Sequence, residues 1–212
     1  LMRTDAATLS PAPLAADTAD RIVEVAIDAF ARHGFAAVST RALAAAAGVN
    51  IATLSYHFGS KLGVYEAAVA CVYARLQASA DTLLPTLAAA PLAEQVRAAV
   101  ALSRQHRPAV RLLVREVLDN DGMTEATARA HFLPAVERYT ALAATMLGAR
   151  PERTRQAIVA AGYLLSRFAM QDDDALRAAL AIPAGDAVEE HLADIVLRCF
   201  DALVADGAAT AS

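Results

Sequence analysis

Residues that start and end helices alternate closely between positions 34 and 61, and this spacing constrains the fold more than any other feature of the sequence. Three glycines predict helix ends, and small polar residues before the next helices predict N-caps: Gly34, Gly48, Gly59; Ser39 or Thr40, Asn50, Ser60. Only two helices of about two turns fit between these signals, over 41–47 and 51–57. Helices this short are marginal alone. They must therefore pack against a helix over 19–33 and a longer one from Lys61, which predicts a helix-turn-helix.

The rest of the chain is also predicted to be helical. Alanine accounts for 55 of the 212 residues, and alternating β-branched runs are scarce, so an all-α fold is expected. Further helices are predicted over 61–84, 92–105, 109–120, 124–147, 151–170 and 188–205, with a bend or split at Pro134 and an interruption at Asp172. The predicted organisation is a flexible arm over 1–17, a helix-turn-helix domain over 18–65 and a helical domain over 66–212.

Several classes of protein are disfavoured by composition. The uncharged stretch over 42–60 contains polar residues and helix breaks, so no membrane helix is expected. The beginning of the chain lacks the basic and apolar segments of a signal peptide, which predicts a cytoplasmic protein. Cys71 and Cys199 are far apart, so neither a disulfide framework nor a metal site is predicted, and no cofactor is expected.

Charge is distributed unevenly along the sequence. The net charge is −4, yet no acidic residue lies between Asp28 and Glu66. That interval contains Arg32, Arg41 and Lys61, the last being the sole lysine of the chain. A locally positive segment in an acidic protein is the pattern expected of a DNA-binding module.

The segment STRALAAAAGVNIATLSYHFGSK, over 39–61, closely resembles the DNA-binding segment of the TetR family of transcriptional regulators. Phe30, Gly34 and Phe35 match the family pattern upstream, and the resemblance extends to about residue 66. It implies a sequence-specific regulator that binds double-stranded operator DNA as a homodimer. It further implies a helical domain that binds a small-molecule effector, most simply as a repressor released by that effector.

The candidate DNA contacts follow from helix-turn-helix geometry, in which the second helix enters the major groove by its N-terminal end. The predicted contact residues lie at the starts of the two short helices and along the second: Thr40, Arg41, Asn50, Ile51, Ala52, Thr53, Ser55, Tyr56, His57 and Lys61. Ile51 or Ala52 could touch a thymine methyl group, whereas Thr40 and Lys61 are expected to contact phosphates. Alternatively, Tyr56 is a core aromatic, and His57 and Arg41 are solvated surface residues. Leu54 and Phe58 are expected in the core.

A ligand cavity is predicted between the central helices of the second domain. Its candidate residues are mostly apolar with a few polar groups, as small-molecule sites usually are: Tyr73, Leu102, His106, Leu113, Arg115, Val117, Phe132, Val136, Tyr139 and Met146. The alternative for each is ordinary core packing. The Arg115–Glu116 pair stands in a context that resembles a CecR-like subgroup of the family, and it could line the cavity or form a structural ion pair.

The resemblance also implies that the last two long helices form the dimer interface. The candidate seam consists of small and apolar residues at helical spacing: Ile158, Ala161, Leu165, Leu192, Ile195, Val196 and Cys199. Packing within one protomer is the alternative.

Other functions stay open at this level. Activation rather than repression is one, because nothing in the sequence reports where the operator lies. An all-α enzyme, or an interaction module with a relic helix-turn-helix, is another. No phosphate loop, H-E-x-x-H or Glu-x-x-His pair supports an enzyme, and no catalytic residues are predicted.

Overall fold

A computed structural model describes residues 12–87, 89–120 and 122–205, and these form two compact units that divide between Val69 and Ala70. The division lies within a continuous helix, four residues after the boundary predicted at 65/66. Residues 1–11 of the predicted flexible arm lie outside the described residues. The rest of that arm is helical: the first helix begins at Ala12, whereas the sequence predicted a start at 19.

The first unit is built from α1 (Ala12–Ala37), α2 (Thr40–Ala46), α3 (Ile51–Phe58) and the start of α4 (Lys61–Leu87). α1 packs on both α2 and α3, and α2 packs on α3. The core side chains come from all four helices and are fully or almost fully buried: Ile22, Ala26, Phe30, Leu43, Ala44, Leu54, Val64, Tyr65 and Ala68. Since α2 and α3 are only 7 and 8 residues long, this shared core and not helix propensity stabilises them.

The cap residues predicted from the sequence end and start these helices. Ser39 Oγ accepts from the Ala42 N–H at 3.1 Å, and Asn50 Oδ1 accepts from the Thr53 N–H at 2.7 Å. Gly48 has the left-handed φ of 66° that the predicted stop requires. Gly34 differs from the prediction: its φ of 76° and ψ of 167° bend the chain after His33, and a further helical stretch continues to Ala37.

Among its described residues, the second unit contains the rest of α4 followed by seven helices and a π-helical segment. They are α5 (Leu92–Gln105), α6 (Arg107–Asp119), α7 (Glu125–Thr127), the π segment (Ala128–Phe132), α8 (Leu133–Leu147), α9 (Pro151–Ala169), α10 (Asp173–Leu180) and α11 (Val188–Ala205). α9 is central, since it packs against α5, α6, α8 and α11. A core of Val96, Val100, Phe168, Leu176 and Leu192, among others, joins α5, α9, α10 and α11.

Two elements differ from the sequence prediction. The predicted helix over 124–147 contains the π segment, which ends just before Pro134 enters the first turn of α8. Proline has no N–H and its ring collides with the carbonyl four residues earlier, so a wider turn before it accommodates the ring. The predicted interruption at Asp172 is present, since α9 ends at Ala169, but it is followed by a helix that was not predicted. Asp172 Oδ1 accepts from the Ala175 N–H at 2.8 Å and caps this helix, α10.

None of the helices described here is long and apolar enough to cross a membrane.

Candidate nucleic-acid interface and cavity

The outer surface of α3 presents a mixed polar and apolar set of side chains. Leu54 is fully buried and fixes the helix to the unit, as predicted. Ile51 is 42% exposed and Tyr56 is 85% exposed, and Ala52 and Ser55 are also exposed. The exposure of Tyr56 removes the alternative that it is a core residue. Phe58, expected in the core, is only half-buried, because α3 ends at this residue and Gly59 turns the chain toward α4.

The first turn of α3 is organised by a short hydrogen-bond network. Asn50 Oδ1 accepts from the Thr53 N–H and, at 3.0 Å, from the Thr53 hydroxyl. Because the hydroxyl proton of Thr53 is committed to Asn50, its oxygen has only lone pairs left to offer a base edge. The same network fixes the Asn50 side chain at the helix start, where the N-terminal turn of a recognition helix meets DNA.

Cationic and hydroxyl side chains lie close by in the chain. Arg41 is exposed at the start of α2, and Thr40 is half-buried at its first position. His57 is half-buried and its ring contacts that of Tyr56 edge to face, with centroids 5.3 Å apart. Arg32 is exposed but forms an ion pair with Asp28 at 2.8 Å, so its charge is partly offset.

Lys61 has a role that sequence reasoning missed. Its ammonium group donates to the carbonyl oxygens of Phe35 at 2.9 Å and Val38 at 3.0 Å, and it lies 4.2 Å from the Phe35 ring centroid. Carbonyls at a helix C-terminus carry partial negative charge, which favours a cation there. The sole lysine therefore joins the end of α1 to the start of α4. The sequence carries no local signal for this contact, because its partners lie 26 and 23 residues away.

Arg21 makes a second bond of this kind. Its Nε donates to the Ala47 carbonyl at 2.9 Å and ties α1 to the end of α2. Arg21 therefore links α2 to α1, and Lys61 links α4 to the end of α1.

The second unit contains a cavity of about 700 Å³ that is partly open to solvent. Eight of the ten predicted ligand residues line it: Tyr73, Leu102, Leu113, Val117, Phe132, Val136, Tyr139 and Met146. The wall also contains polar side chains that sequence reasoning did not select: Gln77, Gln95, Ser103, His131, Tyr163 and Ser166. His131 belongs to the π segment, whose altered helical register could not be read from a regular 3.6-residue period.

Two predicted ligand residues do not belong to this wall as the structure describes it. His106 lies at the junction of α5 and α6, where its N–H donates to the Leu102 carbonyl at 3.0 Å. Arg115 is half-buried on α6. Its neighbour Glu116 is 2% exposed and accepts a hydrogen bond from the Thr124 hydroxyl at 3.2 Å, which ties α6 to the start of α7. The bond to Thr124 gives Glu116 a structural role between α6 and α7.

The predicted dimer seam divides into two groups. Leu192 and Val196 are 0% and 2% exposed within the core of a single protomer, so they have no surface left for a partner and the seam cannot include them. Their burial follows from α11 packing against both α5 and α9. Ala161, Leu165 and Ile195 are partly buried against the same core, Ile158 is half-buried, and Cys199 is exposed.

The capped and exposed α3, held on α1 and α2 and preceded by cationic and hydroxyl groups, defines a helix-turn-helix DNA-binding protein. Residues 22–68 match the family model of bacterial regulatory proteins of the tetR family. The chain is 32% identical over 179 residues to the HTH-type transcriptional regulatory protein RaaS of Mycobacterium tuberculosis, covering 79% of this chain and 80% of that protein. The chain belongs to the TetR family of transcriptional regulators. It is a DNA-binding regulator of transcription and not an enzyme.

Other relatives agree with this assignment. The probable HTH-type transcriptional regulator YttP of Bacillus subtilis strain 168 is 32% identical over 104 residues, a match that spans 47% of this chain and half of that protein. A putative TetR-family regulator from Mesorhizobium loti has a TM-score of 0.65 at 16% identity, covering 89% of this chain and 97% of the other. A putative regulator from Saccharomonospora viridis, solved in complex with choline, has a TM-score of 0.60 at 17% identity, covering 86% and 95%. At these identities the solved structures establish the fold.

Proposed function

We propose that this protein is a homodimeric, cytoplasmic repressor that leaves its operator when a mostly apolar small molecule occupies the cavity of the second unit. The observation that carries the proposal is the course of α4. This helix contributes residues 61–69 to the DNA-binding unit and then Tyr73, Leu76 and Leu83 to the wall of the cavity. A ligand that displaces the wall portion of α4 would therefore act on the helix that carries Lys61.

A small displacement is sufficient for release. Two recognition helices in a dimer must match major grooves about 34 Å apart, so a misfit of a few ångströms forfeits one half-site. The ligand can change the operator affinity only by its own difference in affinity for the two conformations, typically about 1–3 kcal/mol. The Saccharomonospora viridis neighbour, solved with choline, supports a small-molecule ligand for this fold.

In the proposed complex α3 reads the bases. Ile51, Ala52, Thr53 and Ser55 face base edges, and Asn50 holds the first turn. Thr40, Arg41, Tyr56, His57 and the remaining N–H of Lys61 contact phosphates. Because the Thr53 hydroxyl donates to Asn50, it would accept from an adenine or cytosine amino group.

The proposed roles can be separated by selecting binding sites from random duplex DNA. The selected sites should be pseudo-palindromes, because a two-fold dimer places two identical α3 helices on DNA. Thr53→Ala should change the preferred bases, whereas Arg41→Ala should weaken binding to all sequences about equally and lower the salt slope by about one unit. Thr53→Ser, which keeps the hydroxyl, is the matched control and should retain the preference. Identical site preferences in Thr53→Ala and the wild type would contradict the assignment.

Dimerisation is proposed through α9 and α11, by way of the partly buried Ile158, Ala161, Leu165 and Ile195 and the exposed Cys199. Three of these residues, Ile158, Ala161 and Leu165, also belong to the cavity wall. Sedimentation velocity at micromolar concentration should show a dimer. A monomer that binds the selected operator with full affinity would exclude it. Membership of a CecR-like subgroup stays a prediction.

Regulation is tested by reciprocal titration, because two coupled sites must change each other's affinity by the same factor. A cavity ligand found by thermal-shift screening should bind less tightly when the selected operator is present. Equal affinity with and without operator would refute the coupling. Transcription in vitro from a promoter carrying the selected site then distinguishes repression from activation. Increased transcription on adding the protein would identify an activator.

A further inference from the structure

The dimensions of the cavity point to an elongated ligand. On α4 the wall runs from Tyr73 to Leu83 and on α8 from Pro134 to Met146. At 1.5 Å per residue these stretches are about 15 Å and about 18 Å long. A volume of about 700 Å³ spread over about 15 Å leaves a mean cross-section of about 45 Å². The space is therefore longer than it is wide, and its volume falls within the usual range for small-molecule sites.

The wall disfavours an anionic ligand. Within the part of the chain that the structure describes, none of its lining side chains is Asp, Glu, Lys or Arg, and most are aliphatic or aromatic. A carboxylate transferred from water into such a space loses hydration without gaining a counter-ion, which is unfavourable. The carboxyl group of Glu116, buried close to Tyr73, would add repulsion for an anion.

On α4 the wall begins at Tyr73, one of several polar residues that line the cavity. The rings of Tyr73 on α4 and His131 on the π segment stack with centroids 4.9 Å apart and an interplanar angle of 11°. Among the described residues, the structure shows no hydrogen bond to the Tyr73 hydroxyl. Burial, together with neighbouring Glu116, raises the pKa of Tyr73 to about 12. The hydroxyl therefore stays protonated at neutral pH and is available as a donor.

On the basis of the proposed ligand-regulated function, we infer that the cavity selects neutral, elongated lipophiles with a hydrogen-bond acceptor at the end that meets Tyr73, and that it rejects the corresponding anions. Long-chain alcohols and related neutral lipids have this chemistry. Fatty acids of the same length do not.

Matched ten-carbon probes test this directly on the full-length protein. We expect isothermal titration calorimetry at neutral pH to show decan-1-ol binding at least tenfold more tightly than decanoate. Tyr73→Phe should weaken decan-1-ol binding about three- to tenfold, which is the usual effect of losing one hydrogen bond. Tyr163→Phe is the matched control, since Tyr163 is 69% exposed at the edge of the same wall, and it should bind decan-1-ol like the wild type.

Several results would overturn the inference. These are binding of decanoate as tightly as the alcohol, binding of neither probe, and unchanged decan-1-ol affinity in Tyr73→Phe. A loss in Tyr139→Phe with none in Tyr73→Phe would also overturn it, because the polar group would then lie at a different tyrosine of the wall.

The inference and the proposed function can fail separately. If decan-1-ol binds as expected but leaves operator affinity unchanged, the cavity inference stands and ligand-controlled release fails. If decanoate binds most tightly and releases operator DNA, ligand control stands and the neutral-ligand inference fails.

Discussion

Replacing Lys61 by methionine should lower the stability of the DNA-binding unit even in the absence of DNA. Methionine keeps most of the aliphatic stem against Phe35 and removes the ammonium group. That group makes two hydrogen bonds to backbone carbonyls, at 2.9 and 3.0 Å, and a cation–π contact at 4.2 Å. Hydrogen bonds to charged groups contribute about 1.5–3 kcal/mol each when buried, and an exposed cation–π contact about 0.5–1 kcal/mol.

The side chain of Lys61 is only half-buried, so solvent recovers part of this loss. We therefore expect the free energy of unfolding to fall by about 2–3 kcal/mol, below the sum of the three contacts. Urea unfolding of the full-length protein measures the global change. Hydrogen exchange at the amides of α2 and at the end of α1 should show that the loss is local to the first unit.

Arg41→Met is the matched control, because Arg41 is an exposed cation in the same unit and should change stability by less than about 0.5 kcal/mol. Unchanged stability in Lys61→Met, with a salt slope of DNA binding reduced by about one unit, would refute the structural role. It would leave Lys61 as a simple phosphate contact.

Three further changes test local features of the structure. Gly63→Ala should lower stability by more than about 1 kcal/mol, because its Cβ would lie 2.1 Å from the Phe58 carbonyl oxygen. Gly162→Ala has open space around its Cβ and should raise stability by up to about 1 kcal/mol, so equal melting temperatures for the two variants would contradict this explanation. Ala181→Gly should raise stability by about 0.5–1 kcal/mol in urea unfolding, because Ala181 adopts a left-handed φ of 53° at the end of α10, and a loss would show that the turn is not strained. The raised pKa of Tyr73 means that the folded state holds the phenolic proton more tightly than the unfolded state, so the contribution of Tyr73 to stability is complete below about pH 10 and is lost as the pH rises toward 12. In Tyr73→Phe the free energy of unfolding should fall less steeply over this pH range, and identical pH profiles for variant and wild type would refute the assignment.

The helix-turn-helix could be read from the sequence because its signals are local. Ser39, Asn50 and Gly48 act within three or four residues of their positions, through side chain to backbone hydrogen bonds and an allowed positive φ. The apolar positions that line the cavity also follow from helical period, which explains why eight of ten candidates lie in its wall. The DNA-facing roles of the exposed α3 residues stay predictions.

The features that only the tertiary structure determines depend on contacts between residues far apart in sequence. The sequence shows Lys61 as a cation at a helix start, but only packing brings it to the Phe35 carbonyl. Leu192 and Val196 have the same apolar spacing whether they face a partner or their own core, and α5 and α9 cover them. The π segment before Pro134 shifts His131 into the cavity wall. Local patterns determine where helices start and stop and which of their faces are apolar, because capping bonds and backbone preferences act within one helical turn. Which surface covers each apolar face is determined only when the whole chain packs.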